Sequence, residues 1–239
     1  MVGEKVNKRV KYRRRIEAGM ILAALREEFK LKELEAKTGL PISLLSRYAT
    51  GDILPSEQHV EKIEELLNSE LVSSILLKYI ETHGRLAVSH KLASNPLPLW
   101  LAAKTIQYRV IQEKSNFNVI ITPEVGGIPI ALLLSHLSGA KLVIARKKRY
   151  LNWSTTLAGI GGTAENIRVY YVDKHELDES HGSILVVDDI IVEGYTMESI
   201  FDLLKKAGVK PCCAYSIYGV GSLWKEKFPD LRVLAEVNQ

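Results

Sequence analysis

Cysteine is almost absent from the sequence, which has only two, the adjacent Cys212 and Cys213, among 239 residues. So low a content excludes a framework of disulfide bonds and predicts a reducing, cytoplasmic environment. A chain of this length buries roughly 70–75% of the surface that its unfolded form exposes, so it needs no covalent or metal staple. Both cysteines begin an apolar run, and we expect them to lie in the core.

Long apolar runs are also missing. The longest stretch without a charged residue, 125–140, has 16 residues and contains glycine, proline and histidine, whereas a membrane-spanning helix needs about 20 apolar residues. The basic first residues lack the apolar segment of a signal peptide, so we expect neither a membrane partner nor a targeting segment. The six histidines have no metal-ligand spacing, and we assign no metal ligand from the sequence.

Charge is nearly balanced over the whole chain but not along it. The totals are 32 basic and 28 acidic residues, a net charge of +4. Residues 1–15 alone carry a net charge of +6, residues 16–70 carry −5 and the remainder carry +3. A basic arm ahead of a nearly neutral body favours a polyanionic partner such as DNA. A solvated, frayed terminus is the alternative for a basic run of this length.

The spacing of apolar residues predicts two kinds of structure. The first 69 residues contain, after the basic arm, the periodicity and the Pro and Gly stops of four or five short helices. Residues 70–83 are typical of an apolar linker helix. In residues 84–239, β-rich runs alternate with helical segments, which is typical of an α/β domain with a mainly parallel sheet and flanking helices. The predicted strands are 118–123, 141–146, 183–189, 212–219 and 231–237.

The segment LKELEAKTGLPISLLSRYATG, residues 31–51, has the spacing of a helix-turn-helix. Gly39 supplies the turn, Leu34 faces the core, and the second helix is held down by Leu40, Leu45 and Tyr48. The residues on the outer face of the second helix, within reach of base edges and phosphates, are Ile42, Ser43, Ser46 and Arg47. Residues 16–68 resemble the lambda-repressor (Cro/C1-type) helix-turn-helix family, which implies that this domain binds DNA. Glu35 stands where that family usually has a small residue.

Basic residues at the end of the arm, Arg13, Arg14 and Arg15, are assigned as further DNA contacts, to the minor groove or to phosphates. Such contacts make binding strongly dependent on salt. Arg47 is the residue expected to discriminate bases, because a bidentate contact to guanine is worth about 1–3 kcal/mol. The alternative for the whole N-terminal domain is a helical bundle used for dimerisation.

The run SILVVDDIIVEGYTMESI, residues 183–200, carries the chemistry of the second domain. An apolar strand ends in Asp188 and Asp189, and a tight loop then enters a helix through Glu193-Gly194-Tyr195-Thr196. The carboxyl end of a parallel strand is where α/β sheets bind ligands, and amides at a helix start bind anions. Paired carboxylates hold ribose hydroxyls or, through water, Mg²⁺. The run therefore predicts a site for an anionic ligand.

Residues 84–239 resemble the type I phosphoribosyltransferase family, in which four apolar residues, two acids and a phosphate loop follow one another. The resemblance implies a five-stranded, mainly parallel sheet with a small hood over the site. The implied reaction is Mg²⁺-dependent displacement of pyrophosphate from phosphoribosyl pyrophosphate (PRPP) by a nitrogenous base. It also implies that 120–131 is the pyrophosphate loop, with Gly126 and Gly127 near phosphate, and that Arg146 and Lys147 reach the pyrophosphate. Residues 150–182, which include LAGIGGTAEN, fall where the family has a flexible catalytic loop.

Three departures from the family pattern favour binding over catalysis. Glu193 stands where the phosphate loop normally offers Thr or Ser, and a carboxylate repels phosphate by about 1–4 kcal/mol per charge pair at about 4 Å. Tyr195 replaces a glycine and adds bulk over the pocket. The PEVGG loop and residues 150–167 contain neither Lys nor Arg, although departing pyrophosphate needs cations and donors. We therefore assign no catalytic residue.

A helix-turn-helix joined to this second domain resembles the phosphoribosyltransferase-like transcriptional regulators. We therefore predict a homodimeric DNA-binding regulator that senses PRPP or a related nucleotide or ribosyl-phosphate metabolite. Mg²⁺ is expected only together with a ligand that carries pyrophosphate. An active purine or orotate phosphoribosyltransferase, with the helical domain as an accessory, is the alternative.

Overall fold

The structure is a computed structural model that describes residues 2–83, 86–178 and 183–238. The chain divides into two compact units, Met1–Ile75 and Leu76–Gln239. The first is built from helices, and the second contains a five-stranded parallel sheet with flanking helices, so the predicted fold class is confirmed. No helix within the described ranges is both long and apolar enough to cross a membrane.

One long helix and four short ones pack around one apolar core in the first unit. They are α1 (Val2–Arg26), α2 (Leu31–Thr38), α3 (Ile42–Thr50), α4 (Glu57–Glu64) and α5 (Glu70–Leu76), with a 3-10 turn at Glu65–Asn68. The fully buried side chains, which recur at helical spacing, include Ile21, Leu22, Leu25, Leu34, Leu45, Ile63 and Leu67. The basic segment does not form a separate arm, because α1 begins at Val2 and runs without a break for 25 residues.

The predicted helix-turn-helix consists of α2 and α3. Gly39 between them has φ 65°, and its N–H donates to the Glu35 carbonyl oxygen at 2.8 Å. Glycine adopts this left-handed conformation without a clash at Cβ, which makes it a common helix stop. Leu34, Leu45 and Tyr48 are buried as the sequence predicts, and this leaves the opposite face of α3 at the surface.

The linker helix predicted over 70–83 is shorter than expected. α5 ends at Leu76, a 3-10 turn covers Leu77–Tyr79, and an extended segment, β1 (Glu81–His83), pairs antiparallel with β2 (Leu86–Val88). Ile80 and Thr82 are β-branched residues, which favour extended backbone. The apolar run 70–81 therefore leaves the α-helical conformation at Leu76, before its charged end at Glu81.

The second unit is a parallel sheet in the order β4-β3-β7-β8-β9. Its strands are β3 (Val119–Pro123), β4 (Lys141–Ala145), β7 (Ile184–Ile191), β8 (Pro211–Val220) and β9 (Arg232–Val237). Its helices are α6 (His90–Ala93), α7 (Pro96–Gln112), α8 (Ile128–Ser138), α9 (Tyr195–Lys206) and α10 (Leu223–Lys227). Strands covered by helices on both faces have continuous apolar sequences, which explains why these runs were recognisable. The carboxyl ends of β3 and β7 are neighbours, and they position the site.

Much of the segment 150–182, expected as a flexible loop, is instead a hairpin of β5 (Thr156–Thr163) and β6 (Asn166–Asp173). Residues 179–182 of that segment lie outside the described residues. The backbone of β5 lies directly against α9, and a Cβ atom on Gly159 or Gly161 would overlap α9 backbone atoms. The Ser199 hydroxyl donates to the Arg168 carbonyl oxygen at 2.5 Å. The glycines therefore permit close packing of a strand on a helix, whereas the sequence favoured mobility.

Candidate functional site

A small pocket of about 150 Å³ lies where β7 passes into α9. Its lining consists of Arg168, Asp188, Ile190, Ile191, Val192, Glu193, Gly194, Tyr195, Thr196 and Met197. Gly194 has φ 82°, and a Cβ atom there would stand 2.6 Å from the Phe228 ring. Only glycine fits this turn, which brings the start of α9 to the pocket. The first amides and the dipole of a helix favour an anion at this end.

Asp188 and Asp189 lie side by side at the carboxyl end of β7. Asp188 is buried. Burial raises its pKa well above the ordinary value of 3.8, and the neighbouring Asp189 carboxylate raises it further. The Asp189 N–H donates to Asp188 Oδ1 at 2.9 Å, and the Asp189 carboxylate accepts a hydrogen bond from the Ser89 hydroxyl. No motif in the sequence indicated Ser89, which approaches from a segment 100 residues away.

Gly126 and Gly127, which the sequence places near phosphate, lie against the two aspartates. A Cβ atom on Gly126 would overlap the Asp189 carboxylate, and one on Gly127 would stand 3.0 Å from Asp188 Oδ1. The preceding peptide bond, Glu124-Val125, is cis. Thr122 Oγ1, at the end of β3, is buried beside this contact and has no hydrogen-bond partner among the described residues. The loop and the acidic pair thus form one oxygen-rich surface.

Arg146 and Lys147 lie beside the same loop, where the Glu124 carboxylate contacts the side chain of Arg146 and the backbone of Lys147. Glu124 Oε2 is 3.7 Å from Arg146 Nη1, and Glu124 Oε1 accepts a hydrogen bond from the Lys147 backbone N–H at 2.5 Å. The Arg146 guanidinium also stacks on the Tyr150 ring, 5.0 Å from its centroid. Sequence reasoning missed the role of Glu124, although the acid was visible inside PEVGG.

Glu193 and Tyr195 differ in where their side chains are held. Glu193 lines the pocket, is partly exposed and makes no ion pair with any described residue. The Tyr195 ring packs beneath the Lys227 ammonium, 4.4 Å from the ring centroid, and against Gly162 of the hairpin. The bulk expected over the pocket is therefore held by contacts with Lys227 and the hairpin.

Thr196 and Arg168 complete the lining of the pocket. Thr196 is hydrogen-bonded to Tyr170, whose pKa is raised by burial. Arg168 on β6 is an exposed cation that lines the pocket, and sequence reasoning missed it. The only sequence signal was its position as the first basic residue after a long stretch without Lys or Arg.

The outer face of α3 is exposed at Ile42, Ser43 and Arg47, and Ser46 is partly exposed. Arg47 makes no side-chain ion pair with any described residue. Glu35, the departure from the family pattern, accepts a hydrogen bond from the Ile42 N–H at 3.2 Å. It satisfies one of the free amides at the start of α3, so this acid stabilises the helix that carries the exposed face.

The three arginines assigned to DNA have partners inside the first unit. Arg14 donates from Nε and Nη2 to the Glu64 carboxylate, at 2.6 Å for the shortest contact, and Arg13 pairs with Glu17 at 2.8 Å. Arg15 donates to the carbonyl oxygens of Leu54 and Pro55, 3.3 and 2.6 Å away. The contacts of Arg14 and Arg15 hold α1 against the end of α4 and against the segment that precedes α4, whereas the Arg13 pair lies within α1. Because these side chains already have partners, we expect Arg14 and Arg15 to have a structural role in place of the DNA contacts assigned from the sequence.

Family models match both units of the chain. A phosphoribosyl transferase domain model matches residues 97–238, and a helix-turn-helix model matches residues 22–72. An HGPRTase-like protein of Halobacterium salinarum is 32% identical over 108 residues, which are 44% of this chain and 55% of the relative. A hypoxanthine/guanine phosphoribosyltransferase of Methanohalobium evestigatum is 36% identical over 96 residues, 40% of this chain and 48% of that protein. The chain thus spans about half the length of these curated relatives.

Solved structures agree with the fold of the second unit. The adenine phosphoribosyltransferase of Rhodothermus marinus superimposes with a TM-score of 0.61 at 18% identity, covering 71% of this chain and 100% of that one. At this level of identity, the similarity supports the fold alone. Since the domain model covers more than half of the sequence and the fold agrees with it, the chain belongs to the phosphoribosyl transferase domain family and carries a helix-turn-helix domain ahead of that domain.

Proposed function

We propose that the chain is a DNA-binding transcriptional regulator whose second domain senses PRPP or a related ribosyl-phosphate metabolite. The helix-turn-helix supports the first part of this proposal. The proposed contacts to base edges and phosphates are Ile42, Ser43, Ser46 and Arg47 on α3. The guanidinium of Arg47 has no competing carboxylate among the described residues, so it is available for a bidentate contact to guanine.

The proposed ligand site is the pocket at the start of α9 together with the adjoining 124–127 loop. The α9 amides bind the phosphate, and Asp188 and Asp189 bind the ribose hydroxyls. Arg168 supplies a cation that offsets the Glu193 carboxylate in the same pocket. The pocket therefore tolerates a phosphate although the loop carries an acid.

Mg²⁺ fits this site only in company with the ligand. Asp188, Asp189 and the buried Thr122 hydroxyl are hard oxygen donors of the kind that Mg²⁺ prefers, and Mg²⁺ usually binds through one or two carboxylates plus substrate phosphates. The described residues contain no cluster of three or more His, Cys, Asp or Glu that holds a metal on its own. The ion, when bound, neutralises phosphate charge next to the two aspartates.

One contact carries the preference for sensing over catalysis, namely that of the Glu124 carboxylate with the Arg146 guanidinium. Transfer of a phosphoribosyl group needs preorganised positive charge where pyrophosphate departs. Here the loop presents a carboxylate, and that carboxylate engages the Arg146 guanidinium. Repulsion between it and a bound pyrophosphate amounts to about 1–4 kcal/mol per charge pair at about 4 Å. We infer that ligand binding survives this repulsion, whereas stabilisation of the leaving group is lost.

A purine or orotate phosphoribosyltransferase is the second candidate. The intact acidic pair, the positive-φ Gly194 and Thr196 at the pocket favour it. Matched relatives also include proteins named hypoxanthine/guanine phosphoribosyltransferase and orotate phosphoribosyltransferase. This candidate requires that the Glu124–Arg146 contact opens when PRPP binds.

Release of pyrophosphate distinguishes the two candidates. The full chain is incubated with PRPP, Mg²⁺ and, separately, adenine, hypoxanthine, guanine and orotate, while a coupled assay follows pyrophosphate. Sensing predicts no turnover above background, together with measurable PRPP binding by calorimetry. Turnover at ordinary enzymatic rates with any base would overturn the sensor proposal and leave the transferase.

The helix-turn-helix is tested on DNA from around the gene of this protein. We expect salt-dependent binding that Arg47→Ala abolishes while PRPP binding is unchanged. A homodimer is also proposed, because a two-fold axis places two recognition helices about 34 Å apart on one face of DNA. Binding of wild-type protein that is insensitive to salt and to Arg47→Ala would contradict the DNA-binding role.

A further inference from the structure

The adjacent cysteines lie at the opposite end of the sheet from the phosphate pocket. Cys212 and Cys213 are near the start of β8, whereas the residue paired with Asp188, Ser216, lies further towards its carboxyl end. The sequence placed both cysteines in the core, but only Cys213 is buried, and Cys212 is exposed. The prediction for Cys212 is therefore wrong, and neither thiol belongs to the site described above.

An irregularity in the strand brings the two thiols together. Ile184 of β7 pairs with Pro211, and the next residue, Leu185, pairs with Cys213, so Cys212 is an extra residue in the ladder. Successive side chains of a regular strand point to opposite faces, and a bulge breaks that alternation. The two sulfur atoms are consequently only 3.3 Å apart.

One flank of this dithiol is open. β9 begins to pair with β8 only at Tyr215, so the cysteines have no strand neighbour on that side among the described residues. A groove of about 530 Å³ lies there, lined by both cysteines together with Phe201, Phe228, Lys210 and Arg232 among others. A small reagent therefore has room to reach both sulfur atoms.

The sulfur separation selects the kind of atom that can bridge the pair. With bonds of about 2.3 Å, typical of a metal–thiolate bond, two sulfurs 3.3 Å apart subtend about 90° at a common centre. A tetrahedral ion such as Zn²⁺ needs a wider angle and four ligands, and no cluster of three or more metal-binding residues is present in the described ranges. A three-coordinate centre with a lone pair has bond angles compressed towards a right angle, and it needs only two sulfurs from the protein.

We propose that Cys212 and Cys213 form a dithiol site that binds trivalent arsenic, as arsenite or as an organic arsenical. In the reaction with an arsenoxide, two S–H bonds and the arsenic–oxygen bond break and two arsenic–sulfur bonds form. The oxygen leaves as water with both thiol protons, so no oxidant or reductant takes part. The site depends on neither the DNA-binding nor the phosphate-binding function proposed above.

The two thiols differ in acidity, which suits their stepwise reaction with one arsenic atom to form a ring that contains both sulfurs. The hydrogen bond from the Cys213 thiol lowers the pKa of Cys212, while the same shared proton and burial raise the pKa of Cys213. The exposed thiol is thus the better nucleophile, since the thiolate is the attacking form. The buried thiol then closes the ring.

Phenylarsine oxide tests the proposal on the reduced, full-length protein. Since the chain has two cysteines, every thiol signal reports on this pair. We expect one arsenical per chain by intact mass, loss of both titratable thiols, and release by a small dithiol but not by a monothiol. Chelation predicts that Cys212→Ser and Cys213→Ser each bind about 10²–10⁴-fold more weakly, because each has lost the second, intramolecular bond.

Control variants and a competing ion distinguish chelation from misfolding and from general thiol affinity for metals. Cys213→Ala accompanies Cys213→Ser, and thermal unfolding confirms that each variant is folded. Zn²⁺ at the same concentration is expected not to protect the thiols. Two arsenicals per wild-type chain, undiminished binding by either folded single variant, or equal protection by Zn²⁺ would each overturn the assignment.

Discussion

The ion pair between Arg14 and Glu64 is predicted to stabilise the helix-turn-helix unit and to play no direct part in DNA binding. The Glu64 side chain is 6% exposed and that of Arg14 is 46% exposed, and their shortest contact is 2.6 Å. Arg14→Ala leaves a nearly buried carboxylate without this partner. Breaking a fully buried pair costs about 3–5 kcal/mol, and a hydrogen bond to a charged group is worth about 1.5–3 kcal/mol. Because Arg14 is half exposed, we expect a loss of about 2 kcal/mol.

Thermal unfolding measures this loss. For a unit of 75 residues, about 2 kcal/mol corresponds to a fall in Tm of about 8–16 °C. The three tryptophans, at positions 100, 153 and 224, all lie in the second unit. Far-UV circular dichroism should therefore show the early loss of helix in Arg14→Ala, while the tryptophan fluorescence transition stays at the wild-type temperature.

Arg47→Ala is the matched control, because it removes an exposed arginine that has no ion pair among the described residues. It should leave both transitions unchanged and abolish specific DNA binding. If Arg14→Ala instead keeps wild-type unfolding and abolishes DNA binding at a temperature where it is folded, then Arg14 contacts DNA and the structural assignment is wrong.

Three further predictions concern the pocket at the start of α9 and the acidic pair beside it. Arg168→Gln should weaken the binding of ribose 5-phosphate, measured by calorimetry, about 5-fold, because an exposed cation about 4 Å from the phosphate contributes about 1 kcal/mol. Arg168→Lys should restore most of the affinity. Equal affinities in all three proteins would remove Arg168 from the site. Ser89→Ala should tighten PRPP binding about 10–150-fold, since it frees the Asp189 carboxylate from a hydrogen bond to a charged group, worth about 1.5–3 kcal/mol. Weaker binding would instead make Ser89 a positioning residue. The raised pKa of Asp188 means that the folded state holds this proton more tightly than the unfolded state, so stability falls as pH rises from the ordinary value near 4 through the raised pKa. Urea unfolding should therefore find Asp188→Asn more stable than wild type at pH 7 and equal to it near pH 3, and an equal difference at both values would contradict the assigned cause.

The strands and the helix-turn-helix were predictable because their signals are local. Continuous apolar runs mark the buried strands of the sheet, and the spacing of Leu34, Leu45 and Tyr48 marks the packed faces of α2 and α3. The acidic pair and Gly194 were predictable for the same reason, since a strand end, a turn and a helix start follow one another within a dozen residues.

Contacts between distant segments were not predictable in this way. Arg14 and Glu64 are separated by 50 residues, and Ser89 and Asp189 by 100. A side chain's partner across such distances depends on how helices and strands pack, which the spacing of apolar residues does not specify. The same limit explains Arg168, whose strand crosses α9 and brings it to the pocket.

The prediction of a flexible loop at glycine-rich β5 was wrong for a different reason. Glycine suits both mobile loops and positions where another backbone approaches closely. Gly159 and Gly161 are of the second kind, because α9 occupies the space that their side chains would fill. Only the position of α9 distinguishes these two roles of glycine, and the sequence of β5 does not specify where α9 lies.

The proposed regulatory role requires that the affinity of the chain for DNA changes when a ribosyl-phosphate ligand binds the second domain. The ligand must therefore bind the DNA-bound and the free forms with different affinity. Fluorescence anisotropy measures this coupling directly, by titrating labelled DNA from around the gene with the full chain at fixed salt, with and without PRPP and Mg²⁺. We expect a shift in Kd of about 5–150-fold, the usual range of such coupling, and its loss in a Gly126→Ala variant whose loop collides with Asp189. Specific DNA binding with the same Kd at every PRPP concentration would contradict the proposed coupling.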